Sequence, residues 1–158
     1  MTLKKSETLP GDNNILRHVP WSKLRKDMED NVLGVLGSAF KLRDGENYLS
    51  VTRIEHFSGS YIQNVHDSIR EIRKYYNVKP KSHFSVGNVS RIKALYENQQ
   101  KKPVRIVSYP TKTTLIKDGS TYNNKSHAAV FNLEQNDDEL LELLAEEVWC
   151  DLHANNSV

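Results

Sequence analysis

With a single cysteine, Cys150, the 158-residue chain cannot close a disulfide on itself or build a cysteine-based zinc site. That scarcity fits a reducing compartment, and a cytoplasmic location is the expectation. No stretch approaches the roughly 18 uninterrupted apolar residues of a membrane span, so no membrane partner is expected. The first residues also lack the apolar run of a signal peptide. Glycine is scarce, at seven residues, and neither a Walker loop nor Gly-x-Gly-x-x-Gly occurs. His-Glu-x-x-His and Gly-x-Ser-x-Gly are equally absent. The familiar P-loop, zinc-protease and nucleophile-elbow signatures are therefore excluded, and any chemistry must rest on less marked residues.

Positive charge is missing from one end. All 22 Lys and Arg lie in residues 1–125, against 12 acids, whereas residues 126–158 hold eight acids and no Lys or Arg. A basic body of this kind attracts nucleic acid, anionic ligands or an acidic partner. The plainer alternative is that the acidic C-terminal segment packs on the chain's own basic body and cancels it. At 37% hydrophobic and 27% charged residues, the chain has the composition and size of one folded domain.

The pattern predicts an α+β fold: a single domain over 15–153, with a mixed β-sheet of five or six strands and three main helices. Residues 1–14, without apolar period and with a Pro10-Gly11 turn, read as a mobile tail, and 154–158 as a frayed end. Ile15–Val19 is a strand that Pro20 ends. Trp21, Leu24 and Met28 fall at helical spacing, so a short helix is expected over 21–28, followed by a polar turn at 27–31. Strands at 36–42 and 48–54 flank Asp44-Gly45 as a hairpin. Ile62, Val65, Ile69, Ile72 and Tyr76 form the apolar stripe of the clearest helix. A strand over 82–86, a helix over 89–98 and a strand over 104–109 follow as a βαβ unit, and 111–126 is an inserted loop or hairpin. A last strand at 128–133 leads to a final helix, capped by Asn136 or Asp137, with an apolar face from Leu140 to Leu152.

His18 and His127 each lie at the edge of an expected strand, where side chains can project into a cleft and serve as an acid–base pair. The alternative is that each holds a strand end by a hydrogen bond. The Gly87-Asn88 turn, with Arg91 beyond it, opens a helix whose N-terminal amides could face an anion; a plain turn capped by Asn88 explains it equally. Arg17, Lys23, Arg25 and Lys26 surround Trp21, a mixture of cation and aromatic suited to single-stranded nucleic acid or an acidic protein surface. Cys150, next to Trp149 in an apolar segment, reads as a buried, inert thiol. No metal site is expected, since three scattered histidines would have to converge, and no cofactor is expected either.

Ser38-Ala39-Phe40, Leu49-Ser50-Val51 and His127-Ala128-Ala129-Val130, together with Arg17-His18-Val19-Pro20-Trp21 and Val86-Gly87-Asn88-Val89, resemble a group of small uncharacterised bacterial proteins. The resemblance spans about residues 15–152; the stretch before His127 is longer here. It implies a bacterial, cytosolic setting and a companion role in a multi-gene system such as a defence island. The expected function is a non-enzymatic accessory or binding module, docking a protein partner or nucleic acid through the basic face. The alternative is a small enzyme acting on a nucleotide or nucleic acid through His18 and His127.

Overall fold

A computed structural model describes residues 3–158. Six strands form the central sheet: β1 (Asn14–Val19), β4 (Leu49–Arg53), β5 (His83–Asn88), β6 (Arg105–Ser108), β9 (His127–Phe131) and β10 (Asp151–Ala154). Their order is β10-β5-β1-β4-β9-β6, and each neighbouring pair is antiparallel. Three α-helices accompany it: α1 (Tyr61–Tyr75), α2 (Val89–Asn98) and α3 (Asp138–Glu147). The protein is an α+β fold, as composition and periodicity predict. β5 and β6, joined through α2, point the same way but are separated by β1, β4 and β9, so they do not form the expected βαβ unit of neighbouring strands. No helix among the described residues is long and apolar enough to cross a membrane.

Alternation along the strands divides the core in two. Ile15 and Val19 point to one face, where α2, α3 and Phe40 form the larger cluster, and Leu16 points to the other, where Val65, Ile69 and Ile72 of α1 pack with Phe84 and Val86. The ends of the expected α1 stripe, Ile62 and Tyr76, are exposed. Ser60 opens α1 with a reciprocal capping box to Gln63. The segment 111–126 is a hairpin of β7 (Thr111–Thr114) and β8 (Thr121–Asn124). It leans on α1 through Tyr122 Oη, which donates to Glu71 at 2.6 Å.

Several expectations are overturned. Residues 21–28 are not a helix but a short turn followed by β2 (Leu24–Lys26), which pairs with β3 (Val32–Val35). The Asp27 carboxylate accepts the amides of Glu29 and Asn31, so it closes a hairpin turn, and Met28 stands fully exposed at its tip. Residues 37–40 form a 3₁₀ turn instead of a strand. Gly37 lies against α3, where a Cβ would come within 2.8 Å of the Glu142 amide, and Asp44-Gly45 belongs to a loop. Helix α3 stops at Glu147, and Leu152 belongs to β10, an edge strand beside β5. Val148 and Leu152 are four residues apart, which mimics one more helical turn.

The first two residues of the expected tail lie outside the described residues, but the rest is packed. The Leu9 amide donates to Ile106 O at 3.0 Å, the Ser108 amide donates to Glu7 O at 2.9 Å, and Leu3 and Leu9 are buried. The segment covers the free edge of β6, whose backbone would otherwise be unpaired. Residues 154–158 are also held: Ala154 pairs with His83, and Arg73 donates to Asn155 O at 2.6 Å.

Candidate functional site

The central sheet is split. β1 pairs with β5 along its whole length, from Asn14↔Asn88 to Val19↔His83, but with β4 only at Ile15↔Arg53 and Leu16↔Thr52. β4 meanwhile stays paired with β9 from Thr52 back to Leu49. Beyond Leu16 the two halves of the sheet diverge, and a cleft of about 430 Å³ opens beside the gap. Its walls come from β1, β4, the 37–40 turn and the C-terminal end of α1. Arg17 braces the gap: Nε donates to Ala39 O at 3.2 Å and Nη1 to Ser50 O at 2.9 Å. Its other N–H groups have no hydrogen-bond partner among the described residues. Burial draws the guanidinium down to about 10, opposed by Glu46 and reinforced by Arg43, so it remains charged at neutral pH.

His18 and His127 both line this cleft. His18 Nε2 lies 3.0 Å from Ser82 Oγ, and its ring packs on Tyr76 (4.8 Å) and edge-on to Phe84 (5.6 Å). His127 Nδ1 lies 2.7 Å from Tyr109 O, and Nε2 lies 3.1 Å from Ser50 Oγ. A carbonyl only accepts, so Nδ1 carries the proton, Nε2 presents its lone pair, and Ser50 Oγ donates to it. The Tyr109 amide donates in return to His127 O at 2.9 Å. The Tyr109 ring packs against Tyr48 and Phe131.

Burial lowers both histidines, His18 to about 4 with Arg17 and Arg43 contributing; for His127 the Tyr109 hydrogen bond partly opposes the shift. Both rings are therefore neutral at pH 7, and neither can start as the acid of a pair in the unliganded cleft. Between the ordinary value of 6.5 and about 4 the unfolded chain binds a proton at position 18 that the folded chain excludes. Stability is thus full above this window and falls as pH drops through it, with His127 and His56, also lowered by burial, acting in the same sense. Urea midpoints are expected to fall from pH 7 to pH 5, and to fall less steeply in His18→Gln; an unchanged slope in that variant would refute the assignment to His18.

The cleft is electropositive: Arg17, Lys23, Lys41 and Arg43 line it against one acid, Glu46. Lys41 also pairs with Asp138 at 2.9 Å, and Glu46 accepts the Arg43 amide at 2.6 Å. Tyr75 and Tyr76 supply aromatic surface at the α1 side. Ser50, Lys41, Arg43 and the Tyr109 carbonyl were not among the candidate residues expected from sequence. The one signal was Ser50 itself, a hydroxyl between two apolar residues in a strand.

The other expected residues lie elsewhere. Arg25 forms an ion pair with Glu146 of α3 at 3.3 Å, and Lys101 pairs with Asp137 at 2.7 Å, so the acidic helix does pack on the basic body. Trp21 is half-buried; Lys26 and Lys81 sit over its ring at 4.2 and 5.0 Å. Arg17 is turned into the cleft, so the expected continuous face of Arg17, Trp21, Arg25 and Lys26 is divided. The anion site at Gly87-Asn88 is already filled by protein. The amides of Val89, Ser90 and Arg91 donate to Asn13 O, Gly11 O and Asn88 Oδ1. Arg91 itself is bonded to the Glu147 carbonyl. Gly87 is required by packing, since a Cβ there would stand 3.0 Å from the Trp149 ring. Cys150 is exposed, not buried.

No family model, curated protein or solved structure matches the chain.

Proposed function

We propose that the cleft binds a nucleotide-type phosphate ester and that the protein is a small enzyme acting on it. The observation that carries this reading is the Arg17 guanidinium, fixed in the split of the sheet with N–H groups still unpaired, in a cleft lined by further cations. A charged, pre-positioned guanidinium suits a phosphate because the geometry is set before binding. The aromatic surface of Tyr75 and Tyr76 suits a base or sugar. The cleft volume is in the usual range for a ligand of this size. His18 and His127 share the cleft; the acid–base pairing expected of them is narrowed to His127 acting as base, since its lone pair is aimed at a hydroxyl.

A second reading, the accessory module of a bacterial multi-gene system, is favoured by one feature, the Trp21 ring flanked by Lys26 and Lys81. Arg25, tied to Glu146, speaks less for it.

Titration of the protein with AMP, adenosine and inorganic phosphate, followed by NMR of the arginine and histidine side chains, separates the two. The enzyme reading expects AMP to shift Arg17 and His127 signals, with adenosine weaker by about 10-fold or more, the worth of one or two charge-assisted hydrogen bonds. Binding should weaken as salt is raised. Absence of any shift at millimolar AMP and phosphate rejects it.

A further inference from the structure

We propose that Ser50 is a nucleophile, and that the cleft cleaves a phosphate ester through a covalent phosphoserine at this position. This rests on the reading of the cleft ligand as a phosphate ester, but the geometry of the hydroxyl stands apart from it.

Ser50 and His127 project from the same face of neighbouring strands. The register pairs Ser50 with Ala129 and Thr52 with His127, so the imidazole reaches Ser50 along the diagonal while the directly opposite residue is only a methyl group. The Tyr109 carbonyl accepts a hydrogen bond from Nδ1–H at 2.7 Å and the Ser50 hydroxyl donates to Nε2 at 3.1 Å. Hydroxyl, base and a third group that orients the base are the three parts of an activated nucleophile. Here the third group is a carbonyl, which orients the ring without adding a negative charge. Arg17 Nη1 donates to the backbone carbonyl of Ser50, so a positive charge is held at the same residue and lines the same cleft, where it can support negative charge on phosphoryl oxygens. Both Ser50 and Arg17 open to the cleft.

In the first step Ser50 Oγ bonds to phosphorus, the bond from phosphorus to the leaving oxygen breaks, and the Ser50 proton passes to His127 Nε2. The resulting imidazolium gives that proton to the leaving oxygen. Water then attacks the phosphoserine, its proton going to Nε2; the bond between Oγ and phosphorus breaks, and the imidazolium returns the proton to Ser50. The net reaction is hydrolysis of one ester bond, with water as the co-reactant.

The test is treatment of the full chain with diisopropyl fluorophosphate, in which Ser50 Oγ bonds to phosphorus and fluoride leaves. The site is read by intact mass and peptide mapping. One adduct on Ser50 is expected, absent in Ser50→Ala, and formed about 100-fold more slowly in His127→Gln, the usual worth of a positioned base. The labelling rate should fall as pH is lowered through the titration of His127. No adduct at Ser50 in folded protein, or an equal rate in a folded His127→Gln, overturns the proposal. Should His127→Gln fail to fold, ¹⁵N NMR of the native chain decides: a His127 ring protonated at Nε2 in place of Nδ1 overturns it as well. Because the probe is not a nucleotide, the failures separate. Labelling without AMP binding removes the ligand class, and AMP binding without labelling removes the nucleophile.

Discussion

Replacing Arg17 with alanine is expected to weaken AMP binding by about 10- to 100-fold and to destabilise the fold by about 1.5–3 kcal/mol, because one side chain serves both purposes. Its guanidinium reaches from β1 across the split to Ser50 O of β4 and also holds Ala39 O of the 37–40 turn, where the backbone ladder between β1 and β4 has ended. Removing it leaves two carbonyls without this charged donor and opens the space between the halves of the sheet. Arg17→Lys keeps the charge but has no planar fork to reach both carbonyls, so it should recover part of the binding and little of the stability. Isothermal titration with AMP, alongside urea denaturation of the same samples, measures both. Wild-type affinity in Arg17→Ala would remove the guanidinium from the site, and wild-type stability would deny its role as a brace.

Trp149→Ala is expected to cost more, about 3–5 kcal/mol, the range for truncating a large buried aromatic. Trp149 is 2% exposed, and its ring stacks on Phe40 at 4.9 Å. It fills the space above Gly87, and its carbonyl accepts the buried Ser85 hydroxyl at 2.6 Å. The residue thereby joins the 37–40 turn, β5 and the start of β10, three elements distant in the chain. Phe40 belongs to the same turn as Ala39, the acceptor of Arg17, so the cavity should also loosen one wall of the cleft. Gly87→Ala probes the contact from the other side: its Cβ would meet the ring at 3.0 to 3.2 Å, and overpacking of this kind costs about 1–3 kcal/mol. Denaturant midpoints at constant slope provide the measure, and a loss under about 1 kcal/mol in Trp149→Ala would mean that the ring is not a fixed part of the core.

Where local pattern and tertiary packing agree, the sequence is legible. Ser60, Val65, Ile69 and Ile72 define α1, Asn88 caps α2 and Asp137 caps α3, since period and capping are properties of neighbouring residues. The failures share one cause. Trp21–Met28 and Leu36–Leu42 have periods too short to separate helix, strand and turn. Their conformations are settled by Asp27 closing a hairpin and by Gly37 lying on α3. Leu152 continues the helical spacing of α3, yet the free edge of β5 takes it as a strand. Leu3 and Leu9 lie in a polar segment, which is held by its pairing along the edge of β6.

The same division holds for the site. His18 and His127 could be singled out because titratable groups at strand ends are few, Arg17 because it belongs to a run of cations around Trp21, and the charge asymmetry was visible as a count. The cleft itself depends on where the pairing of β1 with β4 stops, a long-range register that no local pattern encodes. Ser50 became a candidate only when that register set it diagonal to His127 and a carbonyl 18 residues away in the chain fixed the ring. The sequence by itself determined the α+β class, the three helices, the Asn88 cap of α2 and the uneven distribution of charge, all of which follow from spacing and composition. Only the tertiary structure decided that Arg17 faces a cleft, that the glycine turn is packed shut, and that a serine meets a histidine, because each depends on contacts between segments far apart in the chain.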